Sequence, residues 1–468
     1  MSVLVYLSKP KKVQKSHLLV MLCFILFAVN VFSQNPLEAP FQTIDSLLAQ
    51  EYSSQQPGIA VLAAVGDEIV FKKSYGLADL DEQESLSTDV VFEIGSMTKQ
   101  FTSASILQLV EKGEVRLDDP IQKYIEFFPS KIYPITIHHL LSQTSGLPEF
   151  FDVDEDEFAI LNQQHSPEEL INYYKDLPLN FEPGTQFQYS NSNYPLLGLV
   201  IERVTGMPLK DYFEQHIFGP LGMNNTSLWY QEDEDDLRAQ GYRFNSENEL
   251  VKSPPIDGST VYAAGGIVST LDDLLKWNNE LRLPRHLSRR IVKQLWKEKK
   301  TSDNRPTGYG YGFYIEELQE YQVIQHGGYM YGFTSTALYL PKKDVYVCVL
   351  ANRSFENTKN IARYIASCLI DEPIELYRRL APGKITEYTG RYELQNPKGR
   401  VLEVRVYEGN LVLYFPDTPG TEVLLYNTGG DTFRSPNISF RLDFKRSEKG
   451  AVSGFTVYQQ GEYEWVRL

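Results

Sequence analysis

Ser96 and Lys99 stand three residues apart in Gly95-Ser96-Met97-Thr98-Lys99, at the head of a segment with apolar residues at helical spacing through Glu111. On a helix that spacing puts both side chains on one face. A serine hydroxyl is a weak nucleophile until a base takes its proton. A lysine desolvated in a cleft loses its proton near neutral pH and can be that base. A helix start adds backbone N–H groups without helical partners, and the positive end of the dipole, beside Ser96. Taken alone, the pair also fits a helix-capping serine and a surface lysine.

Two further patterns supply what the pair lacks. Tyr189-Ser190-Asn191 follows Glu182-Pro183-Gly184. A tyrosine or tyrosinate near a lysine can shuttle protons, and an amide can orient both lysine and substrate. By itself this pattern reads as a core-facing tyrosine beside a turn asparagine. His326-Gly327-Gly328 comes just after the strand-like run Tyr321–Gln325. Paired glycines let a substrate backbone lie close to a strand edge, and the next N–H, that of Tyr329, can point into a site. His326 alone reads as an ordinary hydrogen-bonded histidine.

The elements that must position these groups alternate along 37–380. Gly58–Ala64 and Glu68–Lys73 form a predicted strand pair joined by Gly66-Asp67. Helical periodicity marks Met97–Glu111, Thr136–Ser142, Glu168–Leu177, Tyr194–Thr205 and Leu209–Ile217. Strand signals return at Tyr321–Gln325, Thr334–Tyr339 and Val345–Leu350, and Asn357–Ile370 reads as a closing helix. The pattern predicts an α/β (α+β) fold: an antiparallel sheet flanked by helices and interrupted by an inserted all-helical region. Ala381-Pro382-Gly383 marks a boundary. Beyond it, short strands are predicted at Tyr388–Leu394, Val401–Tyr407, Asn410–Phe415, Glu422–Tyr426, Ser439–Lys445, Gly454–Gln459 and Tyr463–Leu468, spaced as in a small barrel or sandwich. This tail has no His or Cys and is assigned no chemistry.

Composition narrows the classes. Hydrophobic residues at 42% and charged residues at 23% rule out wholesale disorder. A net charge of -16 argues against a nucleic-acid partner. Three cysteines cannot make a disulfide scaffold. Cys348 and Cys368 are expected as buried free thiols, with a disulfide open to them in an oxidising compartment. Lys9, Lys11, Lys12 and Lys15 precede an uncharged run, Leu18–Phe32. This reads as a secretory signal over residues 1–33 and implies a periplasmic or secreted protein; the alternative is an uncleaved anchor that associates the chain with the membrane. The run is short for a span of about 20 residues.

Rival chemistries lack their motifs. The chain has no G-x-S-x-G elbow, no H-E-x-x-H and no C-x-x-C. His138 and His139 are adjacent, which points to a structural pair rather than a metal site. The acidic runs Asp152–Glu157 and Glu232–Asp236 read as solvated loops rather than calcium ligands. No metal or cofactor is expected.

The three motifs, in this order, resemble those of the serine β-lactamase and penicillin-binding-protein superfamily: S-x-x-K, then S-x-N or Y-x-N, then a K-T-G-like motif. The tyrosine variant resembles the class C β-lactamase branch, which also holds D-Ala-D-Ala carboxypeptidases, D-aminopeptidases and esterases. Ile135–Leu147, Glu182–Asn191, Phe218–Met223 and Gly265–Thr270 also look like family segments, so the resemblance covers nearly all of 40–370. It implies a catalytic domain over 36–380, and a β-rich module over 384–468 that resembles the lipocalin-like appendages of some members. It implies Ser96 as the acylated nucleophile, Lys99 and Tyr189 sharing the base, and Asn191 orienting. The oxyanion hole would be the N–H groups of Ser96 and Tyr329, with Gln143, Gly327 and Gly328 binding substrate. His326 stands where the family usually has lysine. A histidine titrating near 6.5 holds a substrate carboxylate less firmly, and better below that pH. The implied activity is serine hydrolysis through an acyl-enzyme, on an ester or amide of a small molecule or peptide. The alternatives are a class C-like β-lactamase and a non-catalytic penicillin-binding-type protein.

Overall fold

The computed structural model describes residues 38–52, 55–150, 161–228, 238–245, 249–254, 256–354, 356–377, 380, 382–407, 409–416, 423–435, 440–459 and 461–468. The expected signal over 1–33 and the acidic runs Asp152–Glu157 and Glu232–Asp236 lie outside the described residues. Among the described residues, no helix is long and apolar enough to cross a membrane. Helix Glu38–Glu51 straddles a boundary between two units at Leu47/Leu48. The main sheet, the motif-bearing helices and the C-terminal strands all belong to the unit from Leu48 onward.

Six strands form the main sheet: β1 (Ile59–Val65), β2 (Glu68–Tyr75), β3 (Tyr314–Leu318), β4 (Tyr321–Met330), β5 (Phe333–Leu340) and β6 (Val345–Ala351). Their order is β3-β4-β5-β6-β1-β2, and every neighbouring pair is antiparallel. The first strand therefore sits beside the last, with the helical block inserted between them in sequence. Composition explains the order. The runs IAVLAAV of β1 and VYVCVLA of β6 are almost wholly buried, as central strands covered on both faces must be. The run EIVFKKSY of β2 mixes exposed and buried positions and takes the edge. Helix Thr358–Leu369 buries Ile361, Ala362, Ile365 and Ala366 and packs on β5 and β6. Cys348 and Cys368 are both free and buried, as expected of thiols in these elements.

Three helices bring the site together: α1 (Thr98–Lys112), α2 (Asn193–Thr205) and α3 (Gly258–Gly265). α1 is buried around most of its girth although half its first turns are polar. Each such group finds a partner inside: Thr102 Oγ1 donates to Ala263 O at 2.8 Å, Ser103 meets the Tyr194 hydroxyl at 3.2 Å, and Trp277 Nε1 donates to Gln100 at 2.9 Å. A helix buried in this way is fixed in depth and rotation by hydrogen bonds as well as packing. α1 ends where Gly113 takes a left-handed conformation.

The C-terminal strands close into a barrel of eight: Gly390–Gln395, Lys398–Tyr407, Asn410–Tyr414, Val423–Gly429, Thr432–Arg434, Arg441–Arg446, Val452–Tyr458 and Glu462–Arg467. Seven of these are legible in the sequence. The eighth, Thr432–Arg434, is three residues long beside Gly429-Gly430, too short to show alternation. The barrel interior is filled by side chains including Tyr388, Tyr392, Phe433, Phe444, Phe455 and Trp465. Among the described residues these side chains form one packed apolar cluster inside the barrel.

Candidate active site

Ser96 lies in the 3-10 turn Gly95–Met97 that leads into α1, half-buried. Gly95 has φ +51°, and a Cβ on it would stand 2.9 Å from Tyr329 N. Only glycine fits a left-handed position pressed against another strand. Lys99 follows one turn later and is 0% exposed. Its Nζ donates to Asn191 Oδ1 at 2.8 Å and to Ala264 O at 2.8 Å, and lies 3.0 Å from Ser96 Oγ. The two fixed acceptors decide what the third direction does. When the amine is neutral, two N–H bonds are spent on Asn191 and Ala264, and the lone pair is left for the serine proton. Burial pulls the Lys99 ammonium down to about 7, against the opposing charge of Glu149. A base poised there is partly neutral at physiological pH.

Tyr189 and Ser96 both line the cleft, and the Lys99 ammonium lies 5.0 Å from the Tyr189 ring centroid. Burial pushes Tyr189 well above its usual value near 10, with the nearby Ser96 hydroxyl acting in the opposite direction. The shift favours the hydroxyl over the tyrosinate, a form in which Tyr189 can relay a proton beside Lys99. Its ring is caged by Tyr314, stacked at 6.2 Å, by Tyr309 at 6.3 Å and by His326 at 6.1 Å.

His326-Gly327-Gly328 lies inside β4 rather than after it. Pairing with β3 stops at Gln325, while pairing with β5 runs on from His326 to Met330. This stretch thus has a neighbour on one side only within the sheet, and it meets the Ser96 turn on the other. A Cβ on Gly328 would fall far inside contact distance of Ile94 O and 2.6 Å from Ser335 Oγ. Gly328 therefore makes room for the turn that carries Ser96. His326 is 2% exposed; its Nδ1 lies 2.5 Å from Gly327 O and its Nε2 3.2 Å from the Tyr309 hydroxyl. Both ring nitrogens are thus occupied. Burial, then the Lys99 charge, holds the ring down at about 3. The expected gain in carboxylate binding just below pH 6.5 has no charged ring behind it, since titration is moved down to about 3.

Gln143 is buried at φ +59° and does not line the described cleft, while its Nε2 has no hydrogen-bond partner among the described residues. Its backbone carbonyl accepts from Gln188 N at 3.0 Å and its Oε1 from Ser190 N at 2.9 Å, the residues on either side of Tyr189. It braces the tyrosine from behind. Sequence reasoning missed Glu149, whose Oε2 accepts from Asn191 N at 2.7 Å and Asn191 Nδ2 at 3.2 Å, orienting the amide that holds Lys99. It stands two residues past a family-like segment, with nothing local to mark it. It also missed α3, where Tyr262 breaks the helix at φ +34°, in the stretch that presents the Ala263 and Ala264 carbonyls to α1. The tyrosine cage did leave a signal, the alternation Gly308-Tyr309-Gly310-Tyr311-Gly312. Among the described residues, no three His, Cys, Asp or Glu side chains cluster as metal ligands would. His138 meets the Tyr311 hydroxyl at 2.6 Å, and His139 completes the cap of helix Ile137–Leu141.

The buried histidines set an acid limit on stability. Burial, then His139 and Lys299, holds His138 at about 4, and burial lowers His139 as it does His326. In the unfolded chain each titrates near about 6.5. Between those values the unfolded chain binds more protons, so the histidine contribution is whole above about 6.5 and is lost as pH falls toward 4. Asp118 and Asp431, lowered by Arg116 and Arg446, lose theirs at lower pH, and Glu202, raised by burial, acts in the opposite direction. The urea midpoint is expected to fall between about pH 7.5 and 4.5, and His138→Gln to flatten the fall. A midpoint unchanged across that window would contradict neutral, buried histidines.

The chain matches the family described as Beta-lactamase over residues 42–368 and belongs to that family. Residues 379–467 match a domain of unknown function (DUF3471). Penicillin-binding protein 4* of Bacillus subtilis (strain 168) is 27% identical over 430 residues, 86% of this chain and 93% of that protein. An octameric penicillin-binding protein homologue from Pyrococcus abyssi superposes with a TM-score of 0.69 at 24% identity, covering 91% of this chain and 99% of that one. A D-amino acid amidase from Ochrobactrum anthropi SV3, complexed with D-phenylalanine, superposes with a TM-score of 0.61 at 23% identity, covering 70% and 98%. At these identities the two superpositions establish the fold alone. Family membership and the Ser96–Lys99–Tyr189 cluster together support a serine hydrolase in general.

Proposed function

We propose that the protein hydrolyses esters or amides through an acyl-enzyme on Ser96, as an esterase or D-amino-acid peptidase. The observation that carries this is Lys99: a fully buried lysine, pulled down to about 7, with its free direction on Ser96 Oγ. Burying an amine is costly, and a purely structural lysine would not need its lone pair aimed at a serine. This weighs against the non-catalytic alternative.

Neutral Lys99 takes the Ser96 proton as Oγ bonds to the substrate carbonyl carbon. The carbonyl oxygen becomes an oxyanion, received by the N–H groups of Ser96 and Tyr329. The proton passes from Lys99, with the Tyr189 hydroxyl as relay, to the leaving oxygen or nitrogen as its bond to the carbonyl carbon breaks. Water then gives a proton to neutral Lys99 as its oxygen bonds to the acyl carbon; the bond to Ser96 Oγ breaks, and Oγ takes that proton back from Lys99, releasing the acid and restoring both groups. β-Lactam hydrolysis is the second reading, favoured by the family match; the neutral His326, which offers no charge to a substrate carboxylate, weighs against it. The basic start and apolar run before residue 34 support a periplasmic or secreted site of action.

A fluorophosphonate probe tests the reading. Labelling of the intact protein, mapped by mass spectrometry to the Ser96 peptide, is expected, and no labelling there would defeat it. A panel of p-nitrophenyl esters, D-amino-acid amides, D-Ala-D-Ala peptides and a chromogenic cephalosporin should show turnover of esters or amides above the cephalosporin.

A further inference from the structure

The cleft before Ser96 encloses about 770 Å³, solvent at its mouth included. Its side walls are Leu161, Ile256, Val261, Tyr329, Met330 and Tyr331. Among the described lining residues the polar side chains apart from these tyrosines are Ser96, Tyr189 and Asn191, all part of the reacting group, and none is charged at neutral pH. A carboxylate or ammonium placed against such a wall sheds water without gaining a partner. An apolar group placed there removes its own surface and the wall's from water.

Ile256 and Tyr331 have a second role. Both also line a neighbouring hollow of about 1050 Å³, whose wall includes Asp79, Glu82, Glu84 and Arg238. The two residues therefore stand between an apolar compartment that holds the nucleophile and a charged one that does not. Ile256 is 3% exposed and held by packing, whereas Tyr331 is half-buried, with its ring 6.1 Å from that of Tyr329.

We propose that the substrate of Ser96 carries an uncharged, apolar arm of limited length, and that Tyr331 with Ile256 sets that limit. The inference rests on the hydrolase reading above and specifies its substrate class. A partition of this kind acts by differential fit, where one methylene in an apolar pocket changes kcat/KM by roughly 10–200-fold.

Two ester series read the effect: p-nitrophenyl esters of straight acids from acetate to decanoate, and acetates of straight alcohols over the same lengths. In one series the wild type should turn over short chains and fall off sharply at a defined length. Tyr331→Ala should raise the long-to-short ratio of kcat/KM in that series at least about tenfold. Tyr331→Trp should move the fall-off to shorter chains, and decides the matter by itself if the alanine variant does not fold. Charge is read separately. p-Nitrophenyl butyrate should exceed the mono-p-nitrophenyl ester of succinic acid at least about tenfold in kcat/KM, because the added carboxylate meets no cation among the described lining residues. Turnover with Ser96 labelled, but with both length profiles unmoved by the folded variants, or with the succinate ester equally good, overturns this inference alone. Absence of labelling and of ester turnover overturns the hydrolase reading beneath it.

Discussion

Alanine in place of Lys99 is expected to lower kcat/KM by more than about 10⁴-fold, with the fold retained. Loss of one proton-transfer group accounts for roughly 10²–10⁴-fold. Lys99 does more than transfer the proton, since its Nζ also holds Ser96 Oγ at 3.0 Å. Its other two partners, Asn191 Oδ1 and Ala264 O, are left without their donor, so the start of α1 loses its tether to the segment before α2 and to α3. Stability is expected to change less, because removing a buried amine relieves a desolvation cost while leaving a cavity. Arginine should not rescue turnover: guanidinium stays protonated in this range and cannot accept the serine proton. The wild type supplies an independent check. With Lys99 pulled down to about 7, acylation should rise with pH through that value and level off above it. Single-turnover acylation measured across that range reads both. A Lys99→Ala variant within tenfold of the wild type would remove Lys99 from the mechanism.

Gly328→Ala is expected to cost about 10²–10³-fold in kcat/KM, the range seen when one oxyanion donor is displaced. The added methyl collides with Ile94 O, a backbone atom that cannot swing aside, and crowds Ser335 Oγ, which itself donates to Ile94 O at 2.8 Å. Either β4 withdraws or the Ser96 turn does, and both movements separate Tyr329 N from Ser96. Overpacking of this kind also destabilises, by about 1–3 kcal/mol. Gly327→Ala is the contrast, because a Cβ there meets Ser335 O at 3.2 Å, a contact a small shift can absorb. Paired measurements of kcat/KM and melting temperature on the two variants test the argument. Equal losses at Gly327 and Gly328 would show that the close approach to Ile94 does not organise the site.

The sequence alone carried the three motifs and most of the strands and helices, because these signals are local. Three residues separate Ser96 from Lys99, and alternation or helical spacing is complete within ten or fifteen residues. The all-apolar runs of β1 and β6 announce central strands wherever they fall in the chain. The C-terminal barrel was legible as short spaced strands, except for Thr432–Arg434, which is too brief to alternate. The expected roles of Tyr189, Gln143 and His326 were less secure. Their side-chain types suit the site, but protonation and exposure depend on what lies around them in space.

Those properties belong to the tertiary structure. Glu149 reaches Asn191 across 42 residues and Ala264 reaches Lys99 across 165, so no local pattern records either contact. Burial, which has no signature in a single residue's neighbours along the chain, brings Lys99 to about 7 and keeps His326 neutral. Long-range contact also sets Gln143 Oε1 against Ser190 N, beside Tyr189 and 47 residues away. Residue type and spacing determined which groups could react. Desolvation and long-range hydrogen bonds, which exist only once distant segments pack, set the protonation and the geometry on which the proposed roles rest.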